Sequence, residues 1–356
     1  MTTFYRPLAA RLPALRDGVL LPSALAAALV VSGLLAIGLG SAVIDPADTA
    51  RYLWAAVSGG TISADEVSRY QIVWQIRTPR VLLAAVVGAG LAAVGATVQA
   101  LVRNPLADPY ILGISSGASV GAVTVTLFGA LAVLGIHAVS VGAFAGAMGA
   151  TVLVYAAART RSGITPLRLV LTGVALAFGF QAVMSVLIYF APGSDATSTV
   201  LFWTMGTFGA ATWGSVPVAA AVVLVGLVVL RRAAGTLDVL ALGDEAAASM
   251  GVDATRSRRW LFLLTAVVTG AMAAVSGTIG FVGLVVPHVT RLLVGATHTR
   301  VLTTAPLLGA VLAVWVDLLA RTAVPPRELP LGVLTALVGV PLFVGLMRRR
   351  HAFGGA

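Results

Sequence analysis

The sequence predicts an all-α polytopic membrane protein of ten transmembrane helices with both termini in the cytoplasm, and three observations carry that reading. Of 356 residues, 59% are hydrophobic and only 10% charged, and the mean hydropathy is +1.00, a composition outside the range of soluble domains. The apolar residues gather into runs close to the roughly 20 residues that a helix needs to cross the hydrocarbon core. The arginines sort by loop. With the N-terminus inside, 17 fall in inner segments and six (Arg51, Arg69, Arg77, Arg80, Arg321 and Arg327) in outer ones, the asymmetry expected of cytoplasmic loops.

Taken in order, residues 1–24 read as a cytoplasmic tail. They carry Arg6, Arg11, Arg16 and Pro13, without the compact charge, apolar run and cleavage site of a signal peptide. A single membrane domain over 25–350 then holds the spans Leu25–Val43, Val81–Leu101, Ile114–Val133, Val139–Ala157 and Leu167–Phe190. Val216–Leu230, Leu261–Ser276, Phe281–Leu293, Val301–Leu319 and Leu331–Met347 follow, before a short tail over 351–356. An even count returns the chain to the side on which it began. The eighth span is short and interrupted by Gly280, Gly283 and Pro287, which a bilayer tolerates only where protein or a water-filled cavity covers the freed backbone groups. Gly88, Gly90, Gly95, Gly142, Gly146 and Gly149 predict closely packed helices. Leu91–Thr97 and Met272–Thr278 echo one another, with Pro105 and Pro287 at nearly matching distances beyond. In spans of opposite direction, that is the pattern of an inverted repeat.

Between the sixth and seventh spans, residues 231–259 form a polar, doubly charged interruption, bounded by Arg231, Arg232, Arg256, Arg258 and Arg259. Two short helices are expected there, the second capped by Asp244 and ended at Gly251. Helices so short do not stand alone in water. With Leu240, Leu242, Ala247, Ala248 and Met250 expected at the surface, the segment reads as a docking platform for a cytosolic partner.

Composition also excludes. Without cysteine there is no disulfide, thiolate metal site or thiol nucleophile. Without lysine there is no Walker A loop, so ATP is not bound by that device. The net charge of +10 lies at the ends of apolar segments rather than in one basic stripe, which argues for membrane topology and against nucleic acid.

Four constellations invite chemistry. Gly113-Ile-Ser115-Ser-Gly117 fits the pattern of a serine nucleophile elbow, with His288 or His137 as base, but it opens an apolar helix instead of following a strand. Asp317 is the one acid placed within a span, which could mark a proton relay in an ion-driven carrier. Arg321, four residues on, makes a same-face ion pair the better reading. His288 lacks the neighbouring ligands of a metal site. Arg77, Arg80 and Arg321 group at the outer face, where they could snorkel to headgroups or pair with carboxylates of an extracytoplasmic partner.

The stretches Arg77–Ala122, Leu240–Val252, Gly277–Gly295 and Asp317–Phe343 closely resemble the FecCD-type permease family. These are the membrane subunits of binding-protein-dependent ABC importers for iron-siderophores, haem and vitamin B12. The resemblance implies the type II ABC importer permease fold, ten helices per subunit, and pairing with an identical or related second permease subunit. It also implies a cytosolic ABC ATPase dimer below and a substrate-binding protein or lipoprotein above. ATP and magnesium then belong to the ATPase, and this chain holds no cofactor or metal and is not itself an enzyme. By the match of motifs, Leu240, Leu242, Gly243, Asp244, Glu245, Ala247, Ala248, Met250 and Gly251 resemble the ATPase-coupling segment. Arg77, Arg80 and Arg321 resemble the arginines that meet the binding protein. Asn104, Leu106, Pro166 and Leu167 resemble the cytoplasmic gate, although Thr165-Pro166-Leu167 is less polar than in some relatives. A ferric siderophore is the expected cargo, with haem and cobalamin as alternatives and an ion-coupled carrier as the alternative class.

Overall fold

The computed structural model describes residues 19–348 apart from 41, 161–162, 192–199 and 201–203. The N-terminal tail through residue 18, Arg6, Arg11, Arg16, Arg161, Arg349, Arg350 and the tail over 351–356 lie outside the described residues. The described chain is helical. α1 (Leu20–Gly38) and α2 (Pro46–Ser58) lead to α3 (Val67–Gln71), which passes through a π-helical turn, Ile72–Arg77, into α4 (Thr78–Leu101). α5 (Ile114–Phe128), α6 (Ala138–Ala158) and α7 (Pro166–Tyr189) follow, then α8 (Ser215–Arg232) and the short α9 (Ala234–Leu242) and α10 (Asp244–Ser249). α11 (Ala254–Ser276), α12 (Val282–Val294), α13 (His298–Thr322) and α14 (Leu331–Arg348) complete the order. Among the described residues, seven helical stretches are long and apolar enough to cross a membrane. Three further apolar helices, at residues 114–128, 282–294 and 331–345, are shorter.

Several boundaries move for local reasons. The first helix begins five residues before the expected Leu25 and stops at Gly38, so Val43 falls outside it. The loop after α1 is itself helical in part. Asp45 accepts from the Ala47 N–H at 2.8 Å and Pro46 occupies the first helical position, where its missing N–H costs nothing. The third span ends at Phe128, short of Val133, because Gly129 adopts the left-handed conformation that closes helices.

α4 is the axis of the bundle. It is buried along most of its length and packs against α8, α11, α12 and α13. Its small residues permit this: a Cβ on Gly88 would collide with the Gly309 carbonyl, and one on Gly95 with the Gly283 backbone. α5 and α6 meet in the same way, through Gly117 and Gly121 against Gly146 and Gly142. Gly90, just before the first echoed segment, lies against Met272 of the second. Gly149, by contrast, faces open space.

The interrupted span becomes α12, which starts after Phe281 in a left-handed conformation and holds Pro287 within it. Proline lacks the N–H that would bond the carbonyl four residues back, here that of Gly283. The buried Gln99 amide supplies the missing donor, reaching the Gly283 and Leu284 carbonyls at 3.3 and 3.2 Å and the Ala107 carbonyl at 3.3 Å.

Candidate functional site

The platform consists of α9 and α10, joined at Gly243, whose φ of 116° favours glycine. Leu237 and Leu240 lie three residues apart on one face of α9 and are buried, with α9 packed on α4 and α13. Asp238 on the same helix accepts from the His298 N–H at 2.9 Å and meets His298 Nδ1 at 2.7 Å, pinning α9 to the start of α13. This corrects the expectation that Leu240 and Ala247 are surface residues. Both are fully buried because such short helices must spend one apolar face on the bundle. Leu242, at 69% exposure, and Met250, at 51%, are the large apolar side chains the platform leaves open. Asp244, Glu245, Ala248 and Gly251 are exposed beside them, while Gly243 is buried.

Asn104 and Leu106 occupy the turn that follows α4. The Asn104 side chain accepts from the Leu106 N–H at 2.9 Å, and Asp108 accepts from the Tyr110 N–H at 2.9 Å, so the turn is held by its own side chains. Pro166 opens α7 and is buried, whereas Leu167 is 68% exposed. Both segments flank the platform, and they meet at one of the arginines that bound it. Arg258, on α11, is 1% exposed. Its Nη2 donates to Asp244 Oδ1 at 2.7 Å and its Nη1 to the Ile164 carbonyl at 3.0 Å. The hydrogen bond from Arg258 to Asp244 and the Arg258 charge, with a smaller contribution from the nearby Arg103 charge, outweigh desolvation and hold the Asp244 carboxyl below the usual carboxylate range.

The arginine cluster lies at the other end of α4, about 36 Å from Asn104 at 1.5 Å per residue. Arg77, Arg80 and Arg321, expected at a surface where they could reach headgroups or a partner's carboxylates, are all buried within the chain. Arg77 donates to the carbonyls of Ile37, Gly38 and Ala42 at 3.0, 2.8 and 2.6 Å, clasping the end of α1. Arg80 Nε meets Asp317 Oδ1 at 2.8 Å and its Nη1 meets Glu328 Oε1 at 2.8 Å. Arg321 forms the expected ion pair with Asp317, at 3.4 Å, and also bonds the Ala36 carbonyl. A charge in an apolar setting must be paired or neutralised; carboxylates of the same chain do this for Arg80 and Arg321, while Arg77 is met by backbone carbonyls. The bridge from Asp317 to Arg80 spans 237 positions and leaves no local signal. Gln99 did leave one, as an amide in an otherwise apolar run.

Ser115 stands in the first turn of α5, after the 3-10 turn Pro109–Leu112, not after the strand that a nucleophile elbow requires. Among the described residues no group of three His, Asp or Glu side chains could hold a metal ion.

The FecCD transport family model matches residues 28–349. The hemin transport system permease protein HmuU of Yersinia pestis is 42% identical over 282 residues, covering 78% of this chain and 84% of that one. The cobalamin import system permease protein BtuC of Halobacterium salinarum is 43% identical over 282 residues, covering 79% and 74%. A solved structure, described as an inward-facing conformation of a transporter assigned to the metal-chelate ABC type, superposes with a TM-score of 0.79 at 30% identity, covering 92% of this chain and 98% of that one. A family match across almost the whole chain, carried on a bundle of apolar helices, makes this a multi-pass protein of the cytoplasmic membrane, and it belongs to the FecCD transport family of ABC importer permeases.

Proposed function

We propose that the chain is the ten-span permease subunit of a binding-protein-dependent importer for a ferric siderophore, with both termini in the cytoplasm. The observation that carries the reading is the platform: two short helices, pinned to the bundle by Leu237, Leu240 and Asp238, that still present Leu242 and Met250 outward. Apolar surface held in this way fits a cleft in a cytosolic ATPase, which binds the ATP and magnesium that this chain does not. Nucleotide-dependent closure of that ATPase would favour one of two arrangements of the permease, since a ligand shifts an equilibrium only by its differential affinity for the two states.

A second permease subunit is part of the proposal. Within the span Pro166–Tyr189 only Pro166, Leu169 and Gly173 are buried in the chain, although it begins at the candidate gate. Its bare surface fits a second copy or a related chain across a central pathway. At the opposite end, Glu328 is the more exposed partner of Arg80, its side chain 38% accessible. A carboxylate on the binding protein could replace it there, leaving the Asp317 pair intact. The iron-chelate cargo is supported by the family and by the metal-chelate description of the structural relative, whereas the names of HmuU and BtuC support haem and cobalamin.

Uptake of labelled ferric siderophore, haem and cobalamin, in strains carrying or lacking this chain, tests the reading. Siderophore uptake that needs the chain and ATP is the expected result. Dependence confined to haem or cobalamin would reassign the cargo, and uptake that follows the proton gradient without an ATPase would overturn the importer class.

A further inference from the structure

The Arg258 side chain touches three segments that the importer reading treats separately. Through Nη2 and Nη1 it holds both oxygens of Asp244, at 2.7 and 3.3 Å, and Asp244 is the first residue of α10 on the platform. Nη1 also donates to the carbonyl of Ile164 at 3.0 Å, two residues before Pro166. Nε reaches the carbonyl of Leu101 at 3.4 Å, the last residue of α4 and three before Asn104. One buried guanidinium is therefore bonded to the platform and to the roots of both candidate gate segments.

The chemistry makes this a stiff connection. A charge taken out of water is tolerated only while its donors stay satisfied, and removing one partner costs far more than the pair contributes. Arginine presents its donors in a rigid planar fork, so it can serve a carboxylate and two carbonyls together, which a lysine ammonium on a flexible stem cannot do in the same geometry. The same turn of α11 is braced a second time: Gly163, with φ of 100°, lies so close to Thr255 that a Cβ there would collide with it.

We propose that Arg258 is a positioning residue that makes the platform and both gate segments move as one body, so that displacement of α10 by an ATPase reaches the gate. The proposal rests on the importer reading above and adds to it a specific route for the movement. A pin that merely stabilised the fold would leave the ratio of transport to ATP hydrolysis unchanged in any variant that assembles.

The test uses the complete complex, permease with ATPase and binding protein, in nanodiscs and proteoliposomes. The chain has no cysteine, so Arg168→Cys on the first turn of α7 and Ser249→Cys at the end of α10 can carry a pair of spin labels. In the parent the label separation is expected to stay constant between nucleotide-free and ATP–vanadate-trapped states. In Arg258→Gln it should change with nucleotide, and uptake per ATP hydrolysed should fall about ten-fold, within the usual range of coupling free energies. Arg258→Lys, which can keep Asp244 but not both carbonyls, should be intermediate. Asp244→Asn, at a position near the surface, gives a second reading if Arg258→Gln does not assemble. Parent-like uptake per ATP and a nucleotide-independent separation in the assembled variants would overturn the proposal, as would a separation that already changes in the parent. Loss of ATP-dependent uptake in the parent itself would instead overturn the importer reading.

Discussion

Arg80 holds two carboxylates, and the two differ in what their loss should do. Arg80→Ala leaves the buried Asp317 with only the longer Arg321 pair, at 3.4 Å, and breaking a buried pair from one side costs about 3–5 kcal/mol. A lower unfolding temperature in detergent is expected, with Arg80→Glu lower still; a parent-like value for both would show that the cluster contributes to docking alone. Glu328→Gln should do the opposite at the surface. It releases one donor of Arg80 without disturbing Asp317, so the binding protein should associate more tightly, and a titration with purified partner in nanodiscs would reveal unchanged or weaker binding if no carboxylate is exchanged. Gln99→Leu is expected to leave the Gly283 carbonyl without a donor, at about 1–3 kcal/mol for a buried unsatisfied group. Retained stability in a thermal melt would mean that Pro287 needs no such compensation. These residues separate what local pattern can reveal from what it cannot. The pair Asp317 and Arg321 was legible from a spacing of four, whereas the two carboxylates on Arg80 and the Leu101 and Ile164 carbonyls on Arg258 depend on chain crossings that no local window contains.

Helices obey the same division. Their apolar spans could be read from hydropathy, and their ends were displaced by a proline in a first turn, a left-handed glycine or a capping aspartate, each a one-residue device that hydropathy averages away. The short helices of the platform show a further limit. Their existence followed from composition, but which face would be buried depended on α4 and α13, and so Leu240 and Ala247 were misplaced while Leu242 and Met250 were not. Gly95→Val tests the packing between elements: a side chain forced against the Gly283 backbone should cost about 1–3 kcal/mol as overpacking and lower the yield of folded protein. Gly149→Ala, where space is open, should leave yield and melting temperature near those of the parent. A reversed order would mean that α4 and α12 do not approach as closely as described.

For the whole molecule, the decisive contrast is between two positions on the platform. Met250→Asp places a charge on exposed apolar surface and should remove the ATPase from the purified complex while the permease still inserts and folds. Ala247→Arg, at a buried site, should damage the platform itself and reduce the yield of folded permease as well. Normal ATPase recovery with Met250→Asp would move the docking surface elsewhere. The all-helical membrane class and the family were readable from composition and four long motifs, because those are properties of the entire chain.

The bare helix α7 has a consequence for how such a subunit is made. Lipid tails are as apolar as leucine, so no hydrophobic force in the bilayer drives two such helices together. A newly inserted copy can therefore rest in the membrane with α7 clad in lipid, neither misfolded nor in need of rescue. If α7 is the face that pairs, as proposed above, pairing becomes a matter of encounter in the plane of the bilayer, governed by how many copies are present and how closely their surfaces fit. The abundance of paired transporters should rise more steeply than the abundance of the chain, and synthesis rate, rather than folding, would set the threshold at which import begins.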